Sequence, residues 1–219
     1  MGSQMIEMLG NGMGESLYMT VVSTVFAYLL GIPLGVVLYI TDKKGIGSNR
    51  AVNFIVGIVV NIIRSVPFLI LLVTVMPLTR LIAGTTIGAT PTVVPLVIAA
   101  APFVARMVES SLKEVDPGVI EAAKAMGSSP WQIIYKVFLP EAKPSLLQGV
   151  TITLATVLGY SAMAGFVGGG GLGTIAVNYG YYRYQTDVMI VAVALLVVVV
   201  QVFQEAGTRL VNKIDKRIN

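Results

Sequence analysis

Glu121-Ala122-Ala123-Lys124-Ala125-Met126-Gly127, followed after nine residues by Val137-Phe138-Leu139-Pro140, forms a polar, helix-prone island in an otherwise apolar chain. Residues 92–107 before it and 146–165 after it are apolar runs that read as membrane spans. A compact helical insert held between two spans stays on one side of the bilayer, where it is placed to grip a soluble partner.

The composition supports spans on either side. Of the 219 residues 55% are hydrophobic and 12% charged, against about 25% charged in a soluble domain. The mean hydropathy is +0.83. Too little polar surface exists to cover a soluble core, so the expected architecture is a single all-α integral membrane domain over residues 14–212. Cysteine and histidine are both absent, which excludes disulfides, thiol catalysis and imidazole chemistry. The first residues carry no basic segment ahead of an apolar core, so no signal peptide is expected and the first run is read as a retained span.

About 20 apolar residues cross the hydrocarbon. Five segments meet or approach this, at residues 17–40, 64–83, 92–107, 146–165 and 188–203. The second lies within residues 51–83, which as one straight helix would reach about 50 Å. It must therefore tilt, kink at Pro67, or leave its first part outside the hydrocarbon. Prolines and small residues within the spans suit helices packed on other helices, as in a channel or transporter.

Orientation follows from the basic residues. With the N-terminus outside, the inner segments hold Lys43, Lys44, Arg50, Arg106, Lys113, Lys124, Lys136, Lys143, Arg209, Lys213, Lys216 and Arg217, and the outer ones only Arg80 and Arg183. Basic residues concentrate on the cytoplasmic side, so the insert at 108–143 and the C-terminus are expected there.

The insert parses into two short helices. Asp116 is an N-cap with Pro117 in the first helical position. Val119, Ala122, Ala123 and Met126 share a face, and Gly127 stands where a left-handed residue ends a helix. Ser129 and Gln132 make a capping box around Pro130. Trp131, Ile134, Tyr135 and Phe138 then form an apolar stripe, and Pro140 is expected to stop the helix. Small side chains at Ala122, Ala123 and Gly127 allow another protein's backbone to approach. The competing reading packs the hairpin on the membrane or on the ends of its own spans. A DNA-reading helix–turn–helix is discounted because no basic recognition face is present, and no nucleic acid partner is expected.

The spacing Glu-Ala-Ala, three residues, Gly, nine residues, hydrophobic, any, Leu-Pro resembles the EAA loop of permease subunits of binding-protein-dependent ABC importers, with Val137 in place of the usual Ile. Asn61-Ile62-Ile63-Arg64-Ser65-Val66-Pro67-Phe68, Ala101-Pro102-Phe103-Val104-Ala105-Arg106-Met107-Val108-Glu109, Gly159-Tyr160-Ser161-Ala162-Met163-Ala164-Gly165 and Gly169-Gly170-Gly171-Leu172-Gly173 are similar to methionine importer permeases within that group. The resemblance implies a type I importer permease. It further implies a homodimer in the bacterial inner membrane, two cytoplasmic ATPase subunits that carry ATP and Mg, and an extracytoplasmic methionine-binding protein. The chain itself would hold no cofactor. Glu121, Ala122, Ala123, Met126, Gly127, Leu139 and Pro140 become the coupling residues, with Glu121 as polar anchor. The implied cargo is an amino acid, methionine of either hand first. Another cargo is the nearest alternative, and a passive channel or secondary transporter a more distant one. No G-x-x-x-x-G-K-[ST] loop occurs, so ATP hydrolysis is expected in a separate subunit.

Tyr160, Ser161 and Met163 near the outer end of the fourth span either pack as ordinary span residues or line a gate, where a flexible thioether can repack. Gly168–173 contains a G-x-G-x-x-G match, but it lies outside any βαβ context and is read as a flexible turn or a close backbone contact. Tyr179, Tyr181, Tyr182 and Tyr184 read as an interfacial belt, with a role in receiving the binding protein as the alternative. Arg64 and Arg106 are expected at the inner boundary, snorkelling or paired with Glu109 rather than recognising substrate. No paired carboxylates, nucleophile triad or metal cluster stands out.

Overall fold

The computed structural model describes residues 2–43 and 45–215, and among them every regular element is helical. Helix α1 is Ser3–Thr41, α2 Arg50–Ser65, α3 Phe68–Thr74, α4 Met76–Ala83 and α5 Ala89–Lys113. The insert supplies α6 (Pro117–Ala125), α7 (Pro130–Ile133) and the three-residue α8 (Leu139–Glu141). Helix α9 is Lys143–Ala164, α10 Gly171–Ile175 and α11 Thr186–Ile214. Four helical runs are long and apolar enough to cross a membrane, or five if α2 and α3 form one broken span.

The core is built on α1 and α5, which lie side by side and run the same way. Gly31 and Gly35 make this approach possible. A Cβ on Gly35 would stand 2.6 Å from the Ala105 carbonyl oxygen, and one on Gly31 2.6 Å from Val104 Cγ1. Without those glycines the helices could not close until Leu96, Ala100, Val104, Val108 and Leu112 met Met19 and Ala27 in one buried cluster. Pro95 and Pro102 are buried inside α5 without breaking it. Helix α9 packs across both, and α11 lies against α9, with Gly207 on Thr151.

Two elements depart from the sequence reading, and a third takes one of the courses it left open. Helix α1 begins at Ser3, well before residue 17, and at 39 residues is about 58 Å long. Its early turns are held by tertiary packing: Leu9 is buried with Leu172, Ile175, Val188 and Ala192. The run through 51–83 is broken, turning by 104° between α2 and α3. Pro67 has no N–H and biases Val66 to extended backbone, and Val66 sits at φ −78°, ψ 124°.

The second departure is Pro140, which does not stop a helix. A π turn over Ile134–Phe138 precedes it, with the Leu139 N–H donating to the Ile134 carbonyl. Such wider turns mark places where a helix absorbs a local misfit. The chain then continues towards α9, through Ala142 N–H to the Phe138 carbonyl at 2.9 Å and Leu146 N–H to the Ala142 carbonyl at 2.9 Å.

Candidate coupling surface and translocation face

The hairpin is assembled from local signals. Asp116 Oδ1 accepts from the Gly118 N–H at 2.6 Å. Gly127 has φ +78°, and its N–H donates to the Lys124 carbonyl at 2.9 Å while that of Ser128 donates to the Ala123 carbonyl at 3.1 Å. That bond pair closes α6 in a Schellman arrangement, which needs a left-handed residue at this point. Ser129 and Gln132 exchange bonds, the Ser129 N–H to Gln132 Oε1 at 2.8 Å and the Gln132 N–H to Ser129 Oγ at 3.4 Å.

One face of the hairpin docks on the chain's own spans. Ala123, Ile133, Ile134 and Phe138 are buried in the main core, with Ile120, Val137 and Leu139 packed against it. Phe138 meets Tyr39 near the end of α1 edge-on, at 4.9 Å between ring centroids and 84° between planes. Two details differ from the expected stripes. Trp131 and Tyr135 are 74% and 53% exposed, and the inward positions are Ile133, Ile134 and Phe138. The π turn changes the residue spacing per turn, so a 3.6-residue stripe drawn through it misplaces side chains. On α6 the Ile120–Ala123 edge turns inward, leaving Val119, Ala122 and Met126 open. Of the residues singled out for coupling, Glu121, Ala122, Met126, Gly127 and Pro140 are exposed, Leu139 is half-buried, and Ala123 is buried. One face of the hairpin thus packs on the chain's own spans, and the other, which carries most of the residues singled out for coupling, is left open.

At the other end of α9, Tyr160 stacks on Phe68 of α3 with centroids 4.5 Å apart. Ser161 is buried, its Oγ donating to the Leu158 carbonyl at 2.8 Å, and Met163 is 43% exposed. The structure thus separates the three, with Ser161 internal and Met163 on an open surface. The glycine-rich segment is a close backbone contact: Gly165 and Gly173 leave no room for a Cβ on either. Two residues with no local sequence signal hold it. Glu15 Oε2 accepts from the Gly171 N–H at 2.6 Å, and Ser16 Oγ from the Leu172 N–H at 2.9 Å. Tyr181, Tyr182 and Tyr184 are exposed beyond it.

A charged network ties α1, α2 and α5 together. Arg106 Nη1 donates to Glu109 at 2.6 Å, and its Nη2 to Asn61 Oδ1 at 2.8 Å and to the Gly57 carbonyl at 3.4 Å. Lys113 binds the second Glu109 oxygen at 2.7 Å and lies 3.6 Å from Asp42. The pairing of Arg106 with Glu109 matches expectation. Lys113 was legible as an i, i+4 partner of Glu109, whereas Asn61 and Asp42 are joined only by the fold. Arg64 is exposed, and no hydrogen bond or ion pair engages its side chain among the described residues.

Residues 27–218, from the last 15 residues of α1 to near the C-terminus, match the family of binding-protein-dependent transport system inner membrane components. The chain belongs to that family. The permease is similar to a probable D-methionine transport system permease of Vibrio cholerae, 53% identical over 203 residues that cover 93% of this chain and 90% of the relative. It is 44% identical to the methionine import system permease of Bacillus subtilis, over 95% and 94% of the two chains. A chain from inward-facing structures of a methionine ABC transporter superposes with a TM-score of 0.97 at 49% identity, covering 99% of this chain and 100% of that one. A chain of an amino acid ABC transporter with histidines shares the fold, at a TM-score of 0.78 and 20% identity. The permease thus has the all-α type I importer architecture.

Proposed function

We propose that this chain is the membrane permease of an ATP-driven importer that carries methionine into the cytoplasm. The observation that carries this reading is the similarity over nearly the whole chain to a methionine ABC transporter subunit, at 49% identity and a TM-score of 0.97. The working unit in this reading is a homodimer with two cytoplasmic ATPases that bind ATP and Mg, fed by an extracytoplasmic methionine-binding protein. The N-terminus is outside and the hairpin and C-terminus are inside, as the distribution of basic residues favours.

The hairpin geometry supports a coupling role. Its open face offers Glu121, Ala122, Met126 and Gly127 to an ATPase, and its closed face is bolted to α1 through Phe138 and Tyr39. Beyond Pro140 the chain passes through Ala142 into α9, the helix that carries Tyr160 and Met163. ATPase closure would push the two hairpins together and swing α9, opening the path outward. Met163 then serves as a gate side chain, and Met163→Ala is expected to change uptake or basal ATP hydrolysis.

Purification with the genetically neighbouring subunits, followed by uptake of labelled methionine into proteoliposomes, tests this reading. Copurification of an ATPase and ATP-dependent methionine uptake are expected. Recovery without any ATPase would overturn it. Glu121→Lys is expected to abolish uptake with normal membrane insertion, and normal uptake in that variant would remove the coupling assignment.

A further inference from the structure

We infer that the elbow between α2 and α3 is a substrate site in the translocation path, with Arg64 receiving the carboxylate of the amino acid. This rests on the transport reading above and assigns to the permease a contact with its cargo.

The elbow lies at membrane depth. Phe68, four residues beyond Arg64, stacks on Tyr160, which stands 17 residues (143 to 160) along α9 from its start, or about 25 Å of helix. Asn61, one turn before Arg64, reaches Arg106 at 2.8 Å, and Arg106 is seven residues (106 to 113) from the end of α5 at the hairpin side, or about 10 Å. Arg64 falls between these two levels.

Two features of that place call for an aqueous surface. The helix breaks there by 104°, and Arg64, Ser65 and Pro67 are exposed rather than packed within the subunit. Broken backbone at membrane depth persists only where protein buries it or water lines it, because lipid satisfies no peptide group. A charged side chain at that depth faces a cavity for the same reason.

The chemistry fits a zwitterion. Across the five apolar segments of the sequence the charged side chains are Arg64, Arg80 and Arg106. Arg106 is committed to Glu109 and Asn61, and Arg80 lies in the last turn of α4. Arg64 and Arg80 both lack a hydrogen-bond or ion-pair partner among the described residues, but Arg64 is the one at the elbow, while Arg80 lies a helix further on. Arg64 carries a planar fork suited to a carboxylate. It stands in the last turn of α2, where terminal carbonyls lack intrahelical partners and carry negative potential. Those carbonyls suit the cargo's ammonium group.

The absence of native cysteine makes the test direct. Ser65→Cys keeps Arg64 and places a single thiol at the elbow, and Val66→Cys serves if the first variant fails to assemble with its ATPase. In the assembled transporter in proteoliposomes, a water-soluble anionic methanethiosulfonate is expected to label this thiol. Saturating methionine should slow labelling about tenfold by occupancy, whereas methioninol, which lacks the carboxylate, should not. Adding Arg64→Gln should remove the protection. No labelling would mean the elbow faces lipid or the second copy and would overturn the site, as would equal protection with Arg64→Gln. Methionine uptake by the parent transporter is measured alongside, so failure of the cargo assignment is distinguishable from failure of the site.

Discussion

Phe68 lies flat on Tyr160, with ring planes 4° from parallel and centroids 4.5 Å apart. That separation exceeds the roughly 3.5 Å of carbon–carbon contact, so the rings are offset, the arrangement aromatic quadrupoles favour. The pair joins the first residue of α3, just past the Pro67 elbow, to α9, which leads back to the coupling hairpin. It is a direct contact between α9 and the broken second span.

Removing this contact should therefore cost stability. A double-mutant cycle of Phe68→Ala and Tyr160→Ala, read by thermal unfolding in detergent, should give an interaction of about 0.5–1.5 kcal/mol. Tyr160→Phe keeps the ring and should leave the melting temperature nearly unchanged. An additive cycle would mean the rings touch without contributing.

The α1–α5 seam makes a sharper prediction. Gly35→Ala puts a Cβ against the Ala105 carbonyl and Val108, and backbone cannot move aside as a flexible side chain can. The cost should be about 1–3 kcal/mol, seen as lower melting temperature and poorer recovery of assembled transporter. Gly14→Ala, in the same helix with nothing within 4 Å of the new Cβ, should stabilise by about 0.5–1 kcal/mol. Equal effects at the two sites would contradict the close approach.

Local chemistry was legible in the sequence, and tertiary consequences were not. The caps at Asp116, Gly127 and Ser129 were readable because a helix end needs its partners within a few residues. Pro67 announced a break, but its angle depends on what Phe68 packs against. Pro140 misled because its missing N–H is accommodated by a π turn, which no spacing rule foresees. The early turns of α1 look too polar to be a span, and they are helical because Leu9 finds a buried place beside α10 and α11. Glu15 and Ser16 reach the glycine-rich turn across 156 residues of chain, a relationship with no local trace.

The second half of the hairpin should depend on its cap. Ser129→Ala removes the acceptor for the Gln132 N–H and should cost about 1 kcal/mol, read as faster amide exchange confined to residues 130–138. Ser129→Asp retains an acceptor and should restore most of the protection. Unchanged exchange in the alanine variant would show that packing of Ile133, Ile134 and Phe138 alone fixes the helix.

Glu109 is the common acceptor of Arg106 and Lys113, with its side chain 9% exposed and that of Arg106 27% exposed. Removing it leaves the arginine with its Asn61 and Gly57 contacts but no counter-charge. Glu109→Ala should destabilise by about 3–5 kcal/mol if the site behaves as a buried pair, and less to the extent that water reaches Arg106. Glu109→Gln keeps an acceptor and should fall between the parent and the alanine variant. Lys113→Ala removes a half-exposed partner and should cost no more than about 1 kcal/mol. The order Lys113→Ala, Glu109→Gln, Glu109→Ala in falling thermal stability is the expected result. A Lys113 variant as damaging as the Glu109 variants would place the weight of the network on the Asp42 side, at the end of α1, rather than on Arg106 and α2.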